Sequence, residues 1–306
     1  MQQPLTSSTS TPARAELPVV FKRSLALMKP ITWFGPMWAF LCGAIASGAT
    51  TWAFSDLARI LLGMLLGGPL LCGVSQVIND YFDREIDAIN EPHRLIPSGL
   101  VSMRQIVVTV AVLLSLGVLV GLILGREVAL MAAIGVVLAV LYSAPPFRAK
   151  RNGWVGNLLV GISYEGLAWM AGHLAFAPMT GASLLIAVLY SLGAHGIMSV
   201  NDYKSIQGDR AGGIKTIPVL HGEKAAAWLV MATMVLAQIG VVAAFLVWGN
   251  WIVAGLVTLL ILLQIWVGRR FLQRPEEHYL FFSVNGSMFF VWGMMIAAIG
   301  LRFVGA

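Results

Sequence analysis

Residues 104–124 read RQIVVTVAVLLSLGVLVGLIL, an apolar run whose only charge is at its first position. A transmembrane helix needs about 20 predominantly apolar residues to cross the hydrocarbon core of a bilayer, so this run is predicted to span a membrane. The whole chain agrees, because 58% of its 306 residues are hydrophobic and 11% are charged, whereas about a quarter of the residues in a soluble domain are charged. This composition excludes a soluble enzyme, a nucleic-acid-binding domain and a disulfide-rich secreted scaffold.

Further runs of this kind predict an all-α fold, a multispan membrane bundle of nine transmembrane helices. The basic residues predict its orientation: with a cytoplasmic N-terminus, 17 of the 20 Lys and Arg residues fall on the inner side, as the positive-inside rule requires. The odd number of spans then puts the C-terminus outside. The predicted spans are 31–49, 57–79, 104–124, 127–144, 154–176, 181–200, 224–247, 250–268 and 280–301.

The chain is predicted to contain a mobile cytoplasmic tail, residues 1–24, and a single membrane domain, residues 25–306. Two inner connections, 80–103 and 201–223, are far longer than the outer ones. Connections of that length in a compact protein are usually functional. The chemistry is therefore expected on the cytoplasmic side.

The first long connection contains an acidic motif, NDYFDREIDAINEPHRLIPSG at 79–99. Its Asp80, Asp83 and Asp87 are spaced i, i+3, i+7, so on a helix they share one face. Carboxylate oxygens suit Mg²⁺, which commonly binds one or two carboxylates together with substrate phosphates. The alternative is a solvated helix face on which Arg84 and Arg94 pair with the acids.

The second long connection repeats this pattern in NDYKSIQGDRAGGIKTIP at 201–218. Asn201 and Asp202 follow Asn79 and Asp80 at an interval of 122 residues, and each pair ends an even-numbered predicted span, as in a parallel internal duplication. Asp209 shares the face of Asp202 if the helix continues. Two acidic stripes surrounded by Lys and Arg predict a site for a polyanion carried by Mg²⁺, with diphosphate as the natural candidate.

These motifs resemble those of the UbiA superfamily of intramembrane prenyltransferases. NDYFDREIDAIN is similar to the first motif of that superfamily, NDxxDxxxD, and GDR at 208–210 to the end of its second motif. Within the superfamily the chain is most similar to the chlorophyll and bacteriochlorophyll synthase branch, and SYEGLAW at 163–169 resembles bacteriochlorophyll synthases in particular. The branch resemblance is carried by NEPHRLIPSG at 90–99, YSAPPFRAKRNGWVGN at 142–157 and NDYKSIQGDR at 201–210.

Three positions depart from the superfamily pattern. Ser205 stands where many members carry Asp, although the tetrapyrrole branch also shows this Lys-Ser pair. Gln207 stands where an acidic residue is common, which removes one potential metal ligand from the second motif. Leu95 stands where Pro is common.

The resemblance implies a Mg²⁺-dependent reaction in a bacterial inner or intracytoplasmic membrane. A geranylgeranyl or phytyl group would move from its diphosphate to the propionate carboxylate of bacteriochlorophyllide, with release of diphosphate. Besides these two substrates, the expected partner is membrane lipid, and no nucleic acid is expected. Alternatives are a chlorophyll synthase, another UbiA-type prenyltransferase, a noncatalytic pigment-binding assembly factor, or an ion-coupled transporter. Transporters place their coupling carboxylates near the bilayer midplane, whereas ten of the 14 acids here lie in or beside inner connections.

The resemblance also assigns roles to individual residues. Asp80, Asp83 and Asp87 would hold one Mg²⁺, and Asp202 and Asp209 a second. A Tyr can donate a hydrogen bond or present its ring to a cation, and Tyr142 is a catalytic candidate on that basis. The candidates for binding diphosphate are Asn79, Arg94, Lys150, Lys204 and Arg210.

Glu165 is the one acid well inside a predicted span. Intramembrane carboxylates are costly, so a functional role is the default interpretation, and the alternative is a neutral Glu that is hydrogen-bonded to a neighbouring helix. Glu165, Trp169 and His195 are the candidates for binding the acceptor. His195 or His173 could supply an axial ligand to a tetrapyrrole magnesium, although packing is the usual role of a lone helix His.

Overall fold

A computed structural model describes residues 17–304, and within that range the chain forms helices and no β-strand. The all-α prediction is confirmed. The helices are α1 Leu17–Leu27, α2 Phe34–Ala46, α3 Phe54–Ile89, α4 Met103–Leu124, α5 Arg126–Ser143, α6 at 153–174, α7 Gly181–Ala211, α8 Ile217–His221, α9 Glu223–Val247, α10 Trp251–Gln273 and α11 Pro275–Leu301.

Seven of the described helices are long and apolar enough to cross a membrane: α3, α4, α5, α7, α9, α10 and α11. The other two predicted spans do not meet that standard. α2 has only 13 residues, and α6, whose apolar run is interrupted by Asn157, Glu165 and His173, is not among the helices that meet it. The membrane character of the fold is thus confirmed, but the count of nine spans is not.

Both acidic motifs lie at the same end of the bundle, because the connection at 144–152 contacts both of them. The Lys150 ammonium donates to Asn79 Oδ1 at 2.9 Å, next to the first motif. On the other side, the backbone of this connection pairs with Lys215, just beyond the second motif: Gly153 N–H donates to Lys215 O at 2.8 Å and Lys215 N–H to Arg151 O at 2.9 Å. The sequence correctly predicts that the two long connections are neighbours.

An arginine near the start of α3 marks the opposite end of the bundle. The Arg59 guanidinium donates to the carbonyl of Leu124 at 3.0 Å, at the end of α4, and to that of Ala175 at 2.6 Å, just after α6. The last carbonyls of a helix have no partner within the helix. Arg59 therefore ties three helices together at the end away from the motifs.

Two glycines allow α2 and α6 to pack backbone against backbone. A Cβ on Gly43 would lie 1.9 Å from the carbonyl oxygen of Trp169, and one on Gly172 would lie 2.1 Å from that of Phe40. Small residues permit such close approach of membrane helices. The short α2 is thereby fixed against the helix that carries Glu165.

The predicted tail overlaps an ordered helix. Residues 17–24 belong to α1, where Arg23 donates to the Leu100 carbonyl at 2.7 Å and Ser24 Oγ lies 3.1 Å from Thr109 Oγ1. Polar groups of α1 therefore bond to α4 and to the connection before it, and the mobile tail at 1–24 stays a prediction. Residues 1–16 lie outside the described range, and the single domain at 25–306 stays a prediction.

The predicted orientation can be tested with single cysteines, because Cys42 and Cys72 are both buried. Ser98 and Gln207 are exposed at the end of the bundle that carries the two acidic motifs, called the motif end below. Ser98→Cys and Gln207→Cys should react with a membrane-impermeant maleimide only after the membrane is opened. Ala53→Cys, exposed between α2 and α3, should react in intact spheroplasts and serves as the control. Labelling of Ser98→Cys in intact spheroplasts would contradict the predicted orientation.

Candidate active site

Basic side chains from separate segments hold the first-motif carboxylates. Asp80 lies 2.6 Å from the Lys29 ammonium, which precedes α2, and 3.9 Å from the guanidinium of Arg94. Arg94 also pairs with Asp87 at 2.9 Å and with Glu91. Burial alone would lower the pKa of Arg94, but Asp87 and Glu91 outweigh burial and raise it. Arg94 therefore stays cationic while it bridges Asp80 and Asp87.

Asp83 is held by the 144–152 connection instead. Its Oδ1 accepts from Arg148 at 3.0 Å and from Lys150 at 2.5 Å, and Lys150 also donates to Asn79 Oδ1. Burial lowers the pKa of Lys150, an effect that the charge of Asp83 partly offsets. Two cations therefore meet one carboxylate and leave positive charge available for an anion.

In the part of the chain that the structure describes, the second-motif acids contact neutral hydrogen-bond donors and form no ion pair. Asp202 Oδ2 accepts from Asn157 Nδ2 at 3.2 Å, and Asp209 Oδ2 accepts from Ser205 Oγ at 2.7 Å. Between the two acids the helix tightens into a 3₁₀ turn, Asp202–Ser205. Asp202 and Asp209 are both partly exposed in the last ten residues of α7.

Two of the residues predicted to bind diphosphate, Lys204 and Arg210, take no part in the contacts that hold the acidic motifs. Lys204 and Arg210 are exposed, and neither forms an ion pair with the residues that the structure describes. Lys204 is two residues after Asp202 and Arg210 directly follows Asp209, and because both side chains are exposed they are available to an incoming anion. Their role in diphosphate binding stays a prediction.

Tyr142 lies in the last turn of α5, close to the first motif. The next residue, Ser143, donates from its hydroxyl group to Asn79 Oδ1 at 3.4 Å. The Tyr142 ring packs against Gly156, where a Cβ would lie 3.4 Å from the ring. The ring therefore lies between the start of α6 and the first motif, and a catalytic role for Tyr142 stays a prediction.

The sequence interpretation missed three residues of this site. Lys29 was counted only as an inner-side cation, yet it holds Asp80 and adopts a left-handed conformation, φ 47° and ψ 70°, which is uncommon for a residue other than Gly. Arg148 was passed over in favour of Lys150, although both bind Asp83. Asn157 could have been found from the sequence, because a polar residue within an apolar run is a candidate for a buried functional contact; the structure shows that it is buried.

The residues predicted to bind the acceptor or its magnesium differ in whether packing inside the protein explains them. Trp169 is fully buried: its ring stacks on Tyr190 and donates to Ser183 Oγ at 2.9 Å, and acceptor binding by Trp169 stays a prediction. His173 is also fully buried and contacts the Pro178 carbonyl at 3.1 Å.

His195 and Glu165 are not explained by packing in this way. His195 lies against the Trp154 ring, with its Nε2 atom buried and without a hydrogen-bond partner in the described range. Glu165 Oε2 is likewise buried and unpartnered there. Acceptor binding by either residue stays a prediction.

The donor atoms at the motifs are of the kind that Mg²⁺ prefers. Carboxylate oxygens of five Asp residues and the amide oxygen of Asn79 lie at one end of the bundle, and hard cations take such oxygen ligands. Within residues 17–304, however, no three His, Cys, Asp or Glu side chains are gathered closely enough to hold a metal ion. The donor set fits Mg²⁺ if diphosphate oxygens complete the coordination and the ion pairs open.

Comparisons with known proteins agree with this arrangement. The UbiA prenyltransferase family profile matches residues 36–294. The chain is 58% identical over 279 residues to the bacteriochlorophyll synthase 34 kDa chain of Chloroflexus aurantiacus, covering 91% of this chain and 90% of that one. It is 38% identical over 291 residues to the chloroplastic chlorophyll synthase of Avena sativa, covering 92% and 76%.

The fold is also known from a solved structure. A UbiA homolog from Archaeoglobus fulgidus, bound to DMAPP and Mg²⁺, superimposes with a TM-score of 0.69 at 19% identity, over 90% of this chain and 99% of that chain. At this identity the likeness establishes the fold alone. Taken with the profile match and the near-full-length relatives, it leads to one conclusion: the chain belongs to the UbiA family of membrane prenyltransferases.

Proposed function

We propose that the chain is a bacteriochlorophyll synthase, which transfers a geranylgeranyl or phytyl group from its diphosphate to the propionate carboxylate of bacteriochlorophyllide. The observation that carries the proposal is the 58% identity to the Chloroflexus bacteriochlorophyll synthase chain over about nine-tenths of both proteins. The identity to the Avena chlorophyll synthase is lower, at 38%. The acids at one end of the bundle also favour chemistry at the membrane surface over a midplane transport site.

The residues at the motif end suit the departure of diphosphate. Loss of diphosphate from an allylic carbon collects negative charge on the leaving group, so preorganised cations stabilise the transition state more than the ground state. Lys29, Arg94, Arg148 and Lys150 are such cations, each already fixed by a first-motif carboxylate. When diphosphate binds, these side chains exchange part of their carboxylate contacts for phosphate oxygens.

The first-motif acids and Asp202 with Asp209 would hold Mg²⁺, as the oxygen-only donor set permits. When bound, Mg²⁺ would supply further positive charge to the diphosphate oxygens. The Archaeoglobus homolog was solved with Mg²⁺ and DMAPP, which supports divalent metal use in this family. Asn157 and Ser205 orient the second-motif carboxylates by donating to one oxygen of each.

The acceptor needs no general base in this reaction. A propionate with a carboxyl pKa of about 4.3 is already ionised at neutral pH, so its oxygen can attack the allylic carbon directly. Tyr142, close to the first motif, would face that carbon with its ring or its hydroxyl group. The prenyl chain would extend into the apolar interior of the bundle.

The proposal is tested by incubating purified protein with geranylgeranyl diphosphate, Mg²⁺ and bacteriochlorophyllide a, and measuring the esterified pigment by chromatography. We expect ester formation that EDTA abolishes and that added Mg²⁺ restores. Chlorophyllide a serves as the comparison acceptor and phytyl diphosphate as the comparison donor. Absence of any esterified bacteriochlorophyll with both donors would contradict the proposed function.

A further inference from the structure

Glu165 carries a carboxyl group that the protein leaves unsatisfied. Its Oε2 atom is buried and has no hydrogen-bond partner in residues 17–304, so the hydrogen bond to a neighbouring helix that was the alternative expectation is not found at this oxygen. An unpaired polar group inside a membrane protein costs free energy. Such a group is explained if a bound ligand completes its hydrogen bonding.

The backbone around Glu165 is irregular in a way that is common at functional sites. Glu165 lies in the π-helical segment Ile162–Leu167 of α6, and a second π-helical segment, Leu66–Cys72, interrupts α3. The two segments touch, since Tyr164 Oη lies 3.1 Å from Cys72 Sγ. π-Helical turns inside α-helices frequently occur at functional sites, and here two of them meet beside one unpaired carboxyl group.

Contacts on both sides fix Glu165 relative to the acidic motifs. Its neighbour Tyr164 accepts from Gln76 Nε2 at 3.2 Å, and Gln76 lies one turn before Asp80, about 6 Å deeper along α3 at 1.5 Å per residue. On α6 itself, Glu165 follows Asn157 by eight residues, roughly 12 Å at that rise, and Asn157 holds Asp202. Glu165 is therefore held inside the bundle, beyond the end that would hold the diphosphate.

That position suits recognition of the ring of an acceptor whose carboxylate arm reaches the motif end. Glu165 forms no ion pair with a cation among the described residues. In apolar surroundings an unpaired carboxyl group favours its neutral form, and the neutral form can donate a hydrogen bond. The natural partner of that donor is a carbonyl oxygen. Bacteriochlorophyllide a carries an acetyl group on its ring where chlorophyllide a carries a vinyl group.

We propose that the Glu165 carboxyl group donates a hydrogen bond to a carbonyl substituent of the acceptor ring, and that this bond favours an acetyl-bearing acceptor over a vinyl-bearing one. The inference rests on the proposed function, because it names how that same site recognises its acceptor. Glu165 is thus a specificity residue that contacts the ring, away from the carbon at which the ester forms.

The test compares bacteriochlorophyllide a with its analogue in which vinyl replaces acetyl, as the ratio of their kcat/KM values. Glu165→Met removes the donor at similar side-chain length and should lower the preference for the acetyl acceptor by roughly tenfold, the scale of one buried hydrogen bond. Glu165→Gln keeps a donor and should retain most of the preference. Ser163→Ala is the matched control, because the one hydrogen bond of the Ser163 side chain within residues 17–304 goes to the Leu159 carbonyl of its own helix, at 2.8 Å.

A spectroscopic measurement separates recognition from a general loss of structure. The acetyl C=O stretch of bound bacteriochlorophyllide a, recorded by resonance Raman, should lie at lower frequency in the wild type and Glu165→Gln than in Glu165→Met. An unchanged acceptor ratio and an unshifted C=O stretch in Glu165→Met would overturn this inference while leaving prenyl transfer intact. Failure of the wild type to esterify either acceptor would instead overturn the proposed function.

Discussion

Asp83→Asn is expected to lower kcat for ester formation by about 10²- to 10³-fold, the range seen when a preorganised electrostatic group is lost from an active site. Asp83 is the carboxylate on which Arg148 and Lys150 converge, at 3.0 and 2.5 Å. The amide keeps the size of the side chain but removes its charge. The site thereby loses both a potential metal ligand and the group that fixes two cations. The measurement is kcat at saturating substrates over a range of Mg²⁺ concentrations.

Glu85→Gln is the matched control for this experiment. Glu85 lies two residues further along α3, is 83% exposed and pairs only with Arg84 among the described residues. The same change of charge there should leave kcat within about twofold, as for most surface substitutions. If Asp83→Asn kept most of the wild-type rate at every Mg²⁺ concentration, the assignment of Asp83 to the active site would be wrong.

The parts of the site that sequence predicted are those encoded by local spacing. Asp80 and Asp87 are seven residues apart, so a helix brings both within reach of one guanidinium, and Arg94 indeed contacts both. The repeated Asn-Asp pair predicted that the second motif would lie at the same end of the bundle. Both inferences depend only on helix periodicity and on the alternation of spans.

The parts that sequence did not predict depend on contacts between distant segments. Lys29 precedes Asp80 by 51 residues, and only the packing of the segment between α1 and α2 against α3 brings the two side chains together. Trp169 is a second example: the sequence suggests it for acceptor binding, but it does not indicate that the Trp169 ring packs in the core beside Tyr190. Side-chain direction depends on tertiary packing, which spacing alone does not specify.

The number of spans is a third case of this kind. Residues 31–49 contain enough apolar sequence for a span, but the structure forms only the 13-residue α2 there. Close packing of Gly43 and Gly172 against opposing carbonyls holds α2 to α6. Apolar composition thus predicted that the segment belongs in the membrane, without predicting how much of it is helical.

Lys150→Met should reduce kcat/KM for the prenyl diphosphate by about 10²-fold or more, because a buried cation that meets the leaving group is removed. Lys150 is well placed for this role, since it contacts Asn79 and Asp83 while its own pKa is lowered by burial. Arg151→Met is the control: Arg151 is exposed and its pairing with Lys215 uses only backbone atoms. A similar loss in both variants would indicate a general effect of charge on diphosphate binding.

Combining Lys150→Met with Asp83→Asn tests whether the two residues act as one unit. Residues in direct contact are rarely additive, and groups that function together lose most of their effect when either is removed. Asp83 fixes the Lys150 ammonium, so once Asp83 is neutralised the lysine no longer has a defined position from which to meet diphosphate. The double variant should therefore be only slightly slower than the slower single variant. Fully multiplicative losses in kcat would mean that Asp83 and Lys150 contribute independently, with the ion pair at 2.5 Å playing no part in catalysis.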